Sequence, residues 1–200
     1  IYEETKYKYN GKKRFSEKIK MSKIIEEGAH SNSDSIICVS NKFKSILRDK
    51  YNYDKDIKVL PMLIDNKKNF LDIESRIRIR RDLGIENKTV IVYSGSITKY
   101  QRFDKMVDFF DILNKKYSET FFLIVSQKQF HQKIEQILDF KGIKSDNYSI
   151  ISAKYEEVNA YLSSSDIGLL FRDDILLNNV SSPTKFLEYL ASGVYPIISK

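Results

Sequence analysis

The feature that most constrains this chain is the recurrence of short, wholly apolar runs. "TVIVY" (residues 89–93), "TFFLIV" (120–125) and "DIGLLF" (166–171) are each separated from the next by stretches of helical periodicity. A strand with one solvated face alternates apolar and polar residues, whereas a strand covered on both faces reads as continuous Val, Ile, Leu and Phe. Strands of the second kind joined by helices make a parallel sheet with helices on both sides. The pattern predicts helix 73–83, strand 89–93, helix 103–117, strand 120–126, helix 128–140, strand 148–151, helix 155–163, strand 166–170, helix 183–192 and strand 195–199. The fold class is therefore α/β, a doubly wound, Rossmann-like parallel sheet. Such sheets take ligands outside the carboxyl ends of their strands, which directs attention to the segments after Tyr93, Ser126, Ile151 and Leu170.

Upstream, the periodicity predicts helix 15–30 with Ile19, Ile24 and Ile25 on one side, a buried strand at 35–40, a short helix at 42–49 and a strand at 57–60 that Pro61 breaks. Residues 61–72 have no period and read as a linker. The expected organisation is residues 1–64 as the last elements of an incomplete N-terminal Rossmann-like domain with its crossover, and residues 65–200 as a second domain cut short at its C-terminus. A start at Ile1 and an end directly behind "YPIIS" suggest a piece of a longer protein.

Composition narrows the function classes. With 42% hydrophobic and 30% charged residues the chain has the mixture of a globular protein rather than a disordered one. The excess of 34 basic over 27 acidic residues, +7, suits a phosphorylated ligand, an anionic membrane surface or nucleic acid without choosing among them. A single cysteine, Cys38, excludes an intramolecular disulfide and a thiolate metal cluster, and fits a cytoplasmic location. No apolar run approaches the roughly 20 residues of a membrane span. His30 and His131 stand beside no nucleophile pattern and read as helix-surface residues. "RIRIRRDLG" (76–84) reads as an amphipathic helix near the linker rather than as a nucleic-acid module. Glu156 and Glu157 read as first-turn charges that complement a helix dipole, the alternative being that they flank a nucleobase on which Tyr155 stacks.

The segment "SSPTKFLEYLASGVYPIIS" (181–199) reads as a bounded helix followed by a strand. Ser182 is an N-cap candidate, Pro183 suits the first helical position, and Gly193 suits a left-handed cap. Lys185 stands in the first turn, where a cation opposes the helix dipole unless an anion compensates it. Glu188 lies one turn on. In isolation the two are equally readable as a weak surface ion pair. Two other strand ends bear on that choice: "YSGSITKYQRFD" (93–104) puts a small-residue turn after its strand, and "LLFRDD" (169–174) ends with Arg172, a natural partner for phosphate oxygens.

Together with "SDSIICVSNKFKSIL", "IKVLPMLID" and "YEEVNAYLSSSDIGLLFRDD", these motifs resemble the donor-binding half of retaining GT-B glycosyltransferases, the family four, group 1 type. The final segment is similar to a subgroup with a Ser-Pro-x-Lys-x-x-Glu-Tyr helix start. The resemblance implies a nucleotide-diphosphate sugar held between two Rossmann-like domains and transferred to a glycan or lipid-linked acceptor in bacterial surface polysaccharide synthesis. It further implies Arg172 and Lys185 as the catalytic cations that stabilise the leaving diphosphate, and Glu188 as the ribose holder. Gly95, Ser96, Arg102, Asp173, Ser181, Ser182 and Thr184 are the other donor contacts, with Lys99 a further candidate cation. The family's usual first glutamate is replaced by Val180, leaving Asp173, Asp174 and Asn179 as candidate sugar contacts. Ser96 and Gln101 occupy positions where the family often carries Arg and Lys, which keeps open a non-catalytic nucleotide-binding or regulatory subunit of the same fold. The implied enzyme uses no metal and no cofactor beyond its sugar-nucleotide substrate, binds no nucleic acid, and works in the cytoplasm or on the inner face of the membrane. This piece alone is expected to be inactive.

Overall fold

A computed structural model describes residues 2–9 and 11–199. In chain order the elements are α1 (Tyr2–Tyr9), α2 (Ser16–Asn32), β1 (Ser35–Cys38), α3 (Asn41–Tyr51), β2 (Asp56–Val59), α4 (Ile73–Asp82), β3 (Thr89–Ser94), α5 (Phe103–Lys116), β4 (Thr120–Val125), α6 (His131–Phe140), β5 (Tyr148–Ile151), α7 (Tyr155–Ser163), β6 (Ile167–Leu170), α8 (Leu176–Asn179), α9 (Thr184–Ala191) and β7 (Tyr195–Ile198). The residues through Met62, together with Asp174–Ser182, form one compact unit; Leu63–Asp173 and the residues from Pro183 onward form another.

In the N-terminal unit β1 and β2 pair in parallel from Ser35↔Asp56 to Cys38↔Val59. Cys38, Leu47, Tyr53 and Ile57 make its buried core. The Ser40 hydroxyl caps α3 by accepting from the Phe43 N–H at 3.1 Å, so β1 stops short of the predicted residue 40. The same hydroxyl donates to the Val180 carbonyl at 2.7 Å. On α2, Ile19 is half-buried while Ile24 and Ile25 are more than half exposed, so the apolar side expected there is covered only in part by described residues. His30 is not a surface residue as expected. It is half-buried, with its ring 4.5 Å from that of Tyr51.

The larger unit carries the five-stranded parallel sheet, in the order β5-β4-β3-β6-β7. The central strands β3, β4 and β6 are largely apolar because both of their faces are covered. On one face Phe103, Met106, Val107 and Phe110 of α5 and Ile134 and Leu138 of α6 pack over Ile91, Tyr93, Phe122 and Ile124. On the other, Leu162 of α7 and Tyr189 of α9 pack over Val90, Val92, Leu123, Val125 and Leu170. Every residue of β4 is buried. The chain steps outward from β3 through β4 to β5, then returns to the opposite side of β3 with β6 and β7. The carboxyl ends of β3 and β6 are therefore a topological switch point, where a sheet of this kind opens a crevice.

The opposite end of the sheet is closed by charge. The Asp166 carboxylate accepts from the Val90 N–H (2.8 Å), Arg76 (2.5 Å) and Arg80 (3.2 Å). Both arginines also donate to carbonyls of residues 163–165. These two members of the "RIRIRR" run are thus structural ties between α4 and the amino end of β6. His131 is also half-buried rather than on the surface, its Nε2 3.0 Å from the Ser126 carbonyl.

Candidate functional site

At the end of β3 the backbone turns sharply at Gly95, whose φ of +138° is a region that side-chain-bearing residues rarely adopt. The turn is held on two sides: the Gly95 N–H donates to the Val125 carbonyl (2.9 Å) and its own carbonyl accepts from the Ser126 hydroxyl (2.7 Å). The Tyr93 hydroxyl closes the loop beyond it, donating to the Ser96 carbonyl at 2.5 Å and lying 3.2 Å from Gln101 Oε1. Gln101 is buried by this arrangement, so the residue at that position serves the loop's shape.

The side chain of Lys185, from the first turn of α9, lies against this glycine. A Cβ placed on Gly95 would sit 2.5 Å from Lys185 Cε and 2.7 Å from its Nζ. Arg172, just past β6, is near enough to disfavour the charge on Lys185, and its backbone is fixed by reciprocal hydrogen bonds with Ser199 beyond β7 (2.9 and 3.0 Å). Burial, reinforced by Arg172 and opposed by Glu188, pulls the Lys185 ammonium below its usual pKa. Burial also lowers Arg172, against the partial compensation of Tyr100 and Tyr93. Glu188 is pushed up by burial, which Lys185 only partly offsets. Burial thus works against the charge of both cations at the switch point, an effect that a bound anion would offset.

The other predicted residues are placed as follows. Arg102, at φ +43°, grips Asp104 through Nε (3.1 Å) and Nη2 (3.0 Å) and Asp173 through Nη1 (2.8 Å), and these carboxylates raise its pKa. The structure thus brings Arg102 and Asp173 together with each other. Ser96 follows Gly95 in the loop, and among the described residues its N–H donates to no oxygen. Thr184 is the first residue of α9. Pro183, rather than Ser182, occupies the N-cap position and supplies no side-chain cap. Ser182 does not cap because its hydroxyl accepts from the Met62 N–H at 3.2 Å within the N-terminal unit. Ser181 donates to the Asn178 carbonyl (2.8 Å), and Asn179 donates to Asp174 (2.7 Å), in that same unit. Lys99 lies in the single 3-10 turn before Arg102. Gly193, at φ +75°, supplies the left-handed cap that ends α9. Glu157 accepts from the Lys154 N–H at 2.8 Å, the first-turn role preferred for it, while Tyr155 is largely exposed. Among the described residues no group of three His, Cys, Asp or Glu side chains could hold a metal ion.

Sequence reasoning missed Tyr189. This wholly buried residue receives the Ser94 N–H on its hydroxyl at 3.2 Å and donates to the Leu169 carbonyl at 3.3 Å. Its signal was Gly168, a glycine inside an apolar strand, which marks close approach by another group; a Cβ there would meet the Tyr189 ring at 2.5 Å.

Residues 75–200, more than half of the chain, match the family model described as glycosyl transferases group 1. The chain belongs to this family. No curated protein sequence shows significant similarity to this group 1 member. Among solved structures, sucrose-phosphate synthase from Thermosynechococcus elongatus is similar at a TM-score of 0.71 and 15% identity, over 97% of this chain and 47% of that one. Anabaena HepE, solved with UDP and glucose, gives 0.68 and 11% over 86% and 46%. WaaG, a glycosyltransferase involved in lipopolysaccharide biosynthesis, gives 0.65 and 17% over 81% and 43%. The group 1 chain spans less than half the length of each, and at these identities the likeness establishes the shared GT-B, Rossmann-like fold. No described helix is long and apolar enough to cross a membrane.

Proposed function

We propose that the protein transfers a sugar, with retention, from a nucleotide-diphosphate sugar to a glycan or lipid-linked acceptor in the assembly of a surface polysaccharide. The observation that carries this reading is the pairing of Lys185 and Arg172 at the switch point, with the Lys185 tip on the Gly95 turn. When the bond between sugar and diphosphate breaks, negative charge grows on the departing phosphate oxygens. Preorganised cations and open helix N–H groups stabilise that charge more than they stabilise the intact donor, and such differential stabilisation is what accelerates a step. Lys185, Arg172 and the first turn of α9 fill this role; Glu188, one turn along the same helix, accepts from ribose hydroxyls. Gly95 and Ser96 bring backbone close to the diphosphate, and Arg102 with Asp173 stiffens the loop edge. Residues 65–200 form the donor domain in this reading and residues 1–64 belong to the acceptor side. The enzyme works at the cytoplasmic face of a membrane, the basic α4 region supplying a peripheral contact, and needs no metal because the two cations meet the diphosphate charge.

The test is turnover of UDP- and GDP-sugars by the full-length protein and by Arg172→Ala and Lys185→Ala. Each substitution is expected to lower kcat by about 10²-fold or more, the scale of one lost transition-state donor. Unchanged turnover in both would remove the assignment. The resemblance of HepE, solved with UDP and glucose, supports trying UDP first.

A further inference from the structure

We propose that Tyr189 is a wedge built into the sheet: its hydroxyl takes the place of a ladder hydrogen bond between β3 and β6 and so sets the width of the crevice at the switch point. β3 and β6 pair in parallel at Ile91↔Ile167 and Val92↔Gly168. Carrying that register two residues further would place Ser94 opposite Leu170, and the Ser94 N–H would then bond to the Leu169 carbonyl directly. Those two groups are instead the donor and acceptor that Tyr189 joins, with one hydroxyl inserted between them at 3.2 and 3.3 Å.

The opening is confined to this seam. On its other edge β3 stays paired with β4 up to Ser94↔Val125, and the Gly95 N–H continues to Val125. β6 likewise stays paired with β7 up to Leu170↔Ile198. The ring that carries the hydroxyl reaches the seam only because position 168 has no side chain. Burial holds the phenol well above its usual pKa, so it remains a donor across the physiological range. Tyr189 stands four residues after Lys185 and one after Glu188 on the same helix. The two bonds therefore tie α9, with both site charges, to the ends of the two strands that flank the crevice. Tyr189 is a positioning residue: it acts through Lys185 and Glu188 and touches no substrate. This inference rests on the reading that the crevice holds a nucleotide diphosphate.

Tyr189→Phe removes the bridging oxygen and keeps the ring; Gly168→Ala keeps the oxygen and crowds the ring. In both variants the Ser94 amide is expected to exchange with solvent deuterium at least ten times faster, while Val90 and Val92 stay protected. The Kd for UDP or GDP, whichever binds the wild-type protein, should rise at least tenfold, and the Kd for the matching nucleoside, which keeps only the ribose contact to Glu188, should rise by a clearly smaller factor, a split that mere loss of stability would not produce. Ser94 exchange at the wild-type rate in a folded variant would overturn the wedge, as would equal weakening of nucleoside and nucleotide. Wild-type protein that binds neither nucleotide would sink the donor reading instead, and Ser94 exchange would still decide the wedge.

Discussion

The side-chain end of Lys185 occupies the space that a Cβ on Gly95 would need, 2.5 Å from Cε and 2.7 Å from Nζ. Gly95→Ala therefore meets two obstacles, a backbone at φ +138° and the lysine itself. Strain of this kind costs about 1–3 kcal/mol, and the lysine must move away from the turn. Affinity for the nucleotide diphosphate should fall at least tenfold in calorimetric titration, with circular dichroism at 25 °C unchanged.

The pH dependence of binding follows from Lys185. Burial, then Arg172, lowers its pKa against the opposing effect of Glu188, so its charge is lost at a lower pH than the roughly 10.4 of a free lysine. Nucleotide binding should weaken as pH rises through that lowered value. Lys185→Arg should flatten this alkaline limb. In the unliganded protein the sign is opposite: the unfolded chain binds more protons between the folded and unfolded pKa values, so the contribution of Lys185 to stability rises with pH across that window. Titrations with UDP and urea unfolding over the same pH series separate the two.

Glu188 titrates in the other direction. Burial raises its pKa more than Lys185 lowers it, so the folded state holds its proton above the unfolded value of about 4.3, and stability contributed by this group declines as pH rises through the folded pKa. Glu188→Gln should leave the fold slightly more stable at neutral pH. It should also weaken UDP or GDP about tenfold or more while leaving inorganic pyrophosphate unaffected, since ribose is the partner assigned to Glu188.

Asp166 tests the end of the sheet remote from the crevice. Burial raises its pKa, but the hydrogen bonds of Arg76, the Val90 N–H and Arg80 prevail and hold it below the usual carboxylate value. Its stabilisation is present above the unfolded pKa of about 3.9 and is lost as pH falls through the folded one. Asp166→Asn leaves two arginines without their carboxylate and should cost on the order of 2 kcal/mol at pH 7, between the figures for exposed and buried pairs. The loss should shrink in urea unfolding below pH 3, and nucleotide affinity of the folded variant should not change.

The sheet was legible because burial on both faces leaves a strand no room for polar residues, as "TVIVY" and "TFFLIV" show. α1 and α8 were not read, since eight and four residues carry too little periodicity to separate from loop. Lys185, Glu188, Gly95 and Arg172 could be grouped in advance because each ends a strand or opens a helix at the same edge of the sheet. The pairing of Arg102 with Asp173 joins residues 71 apart, and no local spacing announces it. Ser182 looked like a cap because only its neighbours in sequence were visible; its partner, Met62, lies 120 residues away. Tyr189 escaped notice for a similar reason, its hydroxyl having two backbone partners that no pattern in the helix encodes.

The central claim is that the cations at the ends of β3 and β6 bind the diphosphate of a sugar nucleotide. Calorimetric titration of the wild-type, Lys185→Ala and Arg172→Ala proteins with UDP and GDP tests it most directly. One nucleotide should bind the wild type, with affinity reduced at least tenfold in each variant and melting temperatures that show all three folded. Binding of neither nucleotide by the wild type, or equal binding by all three proteins, would contradict it.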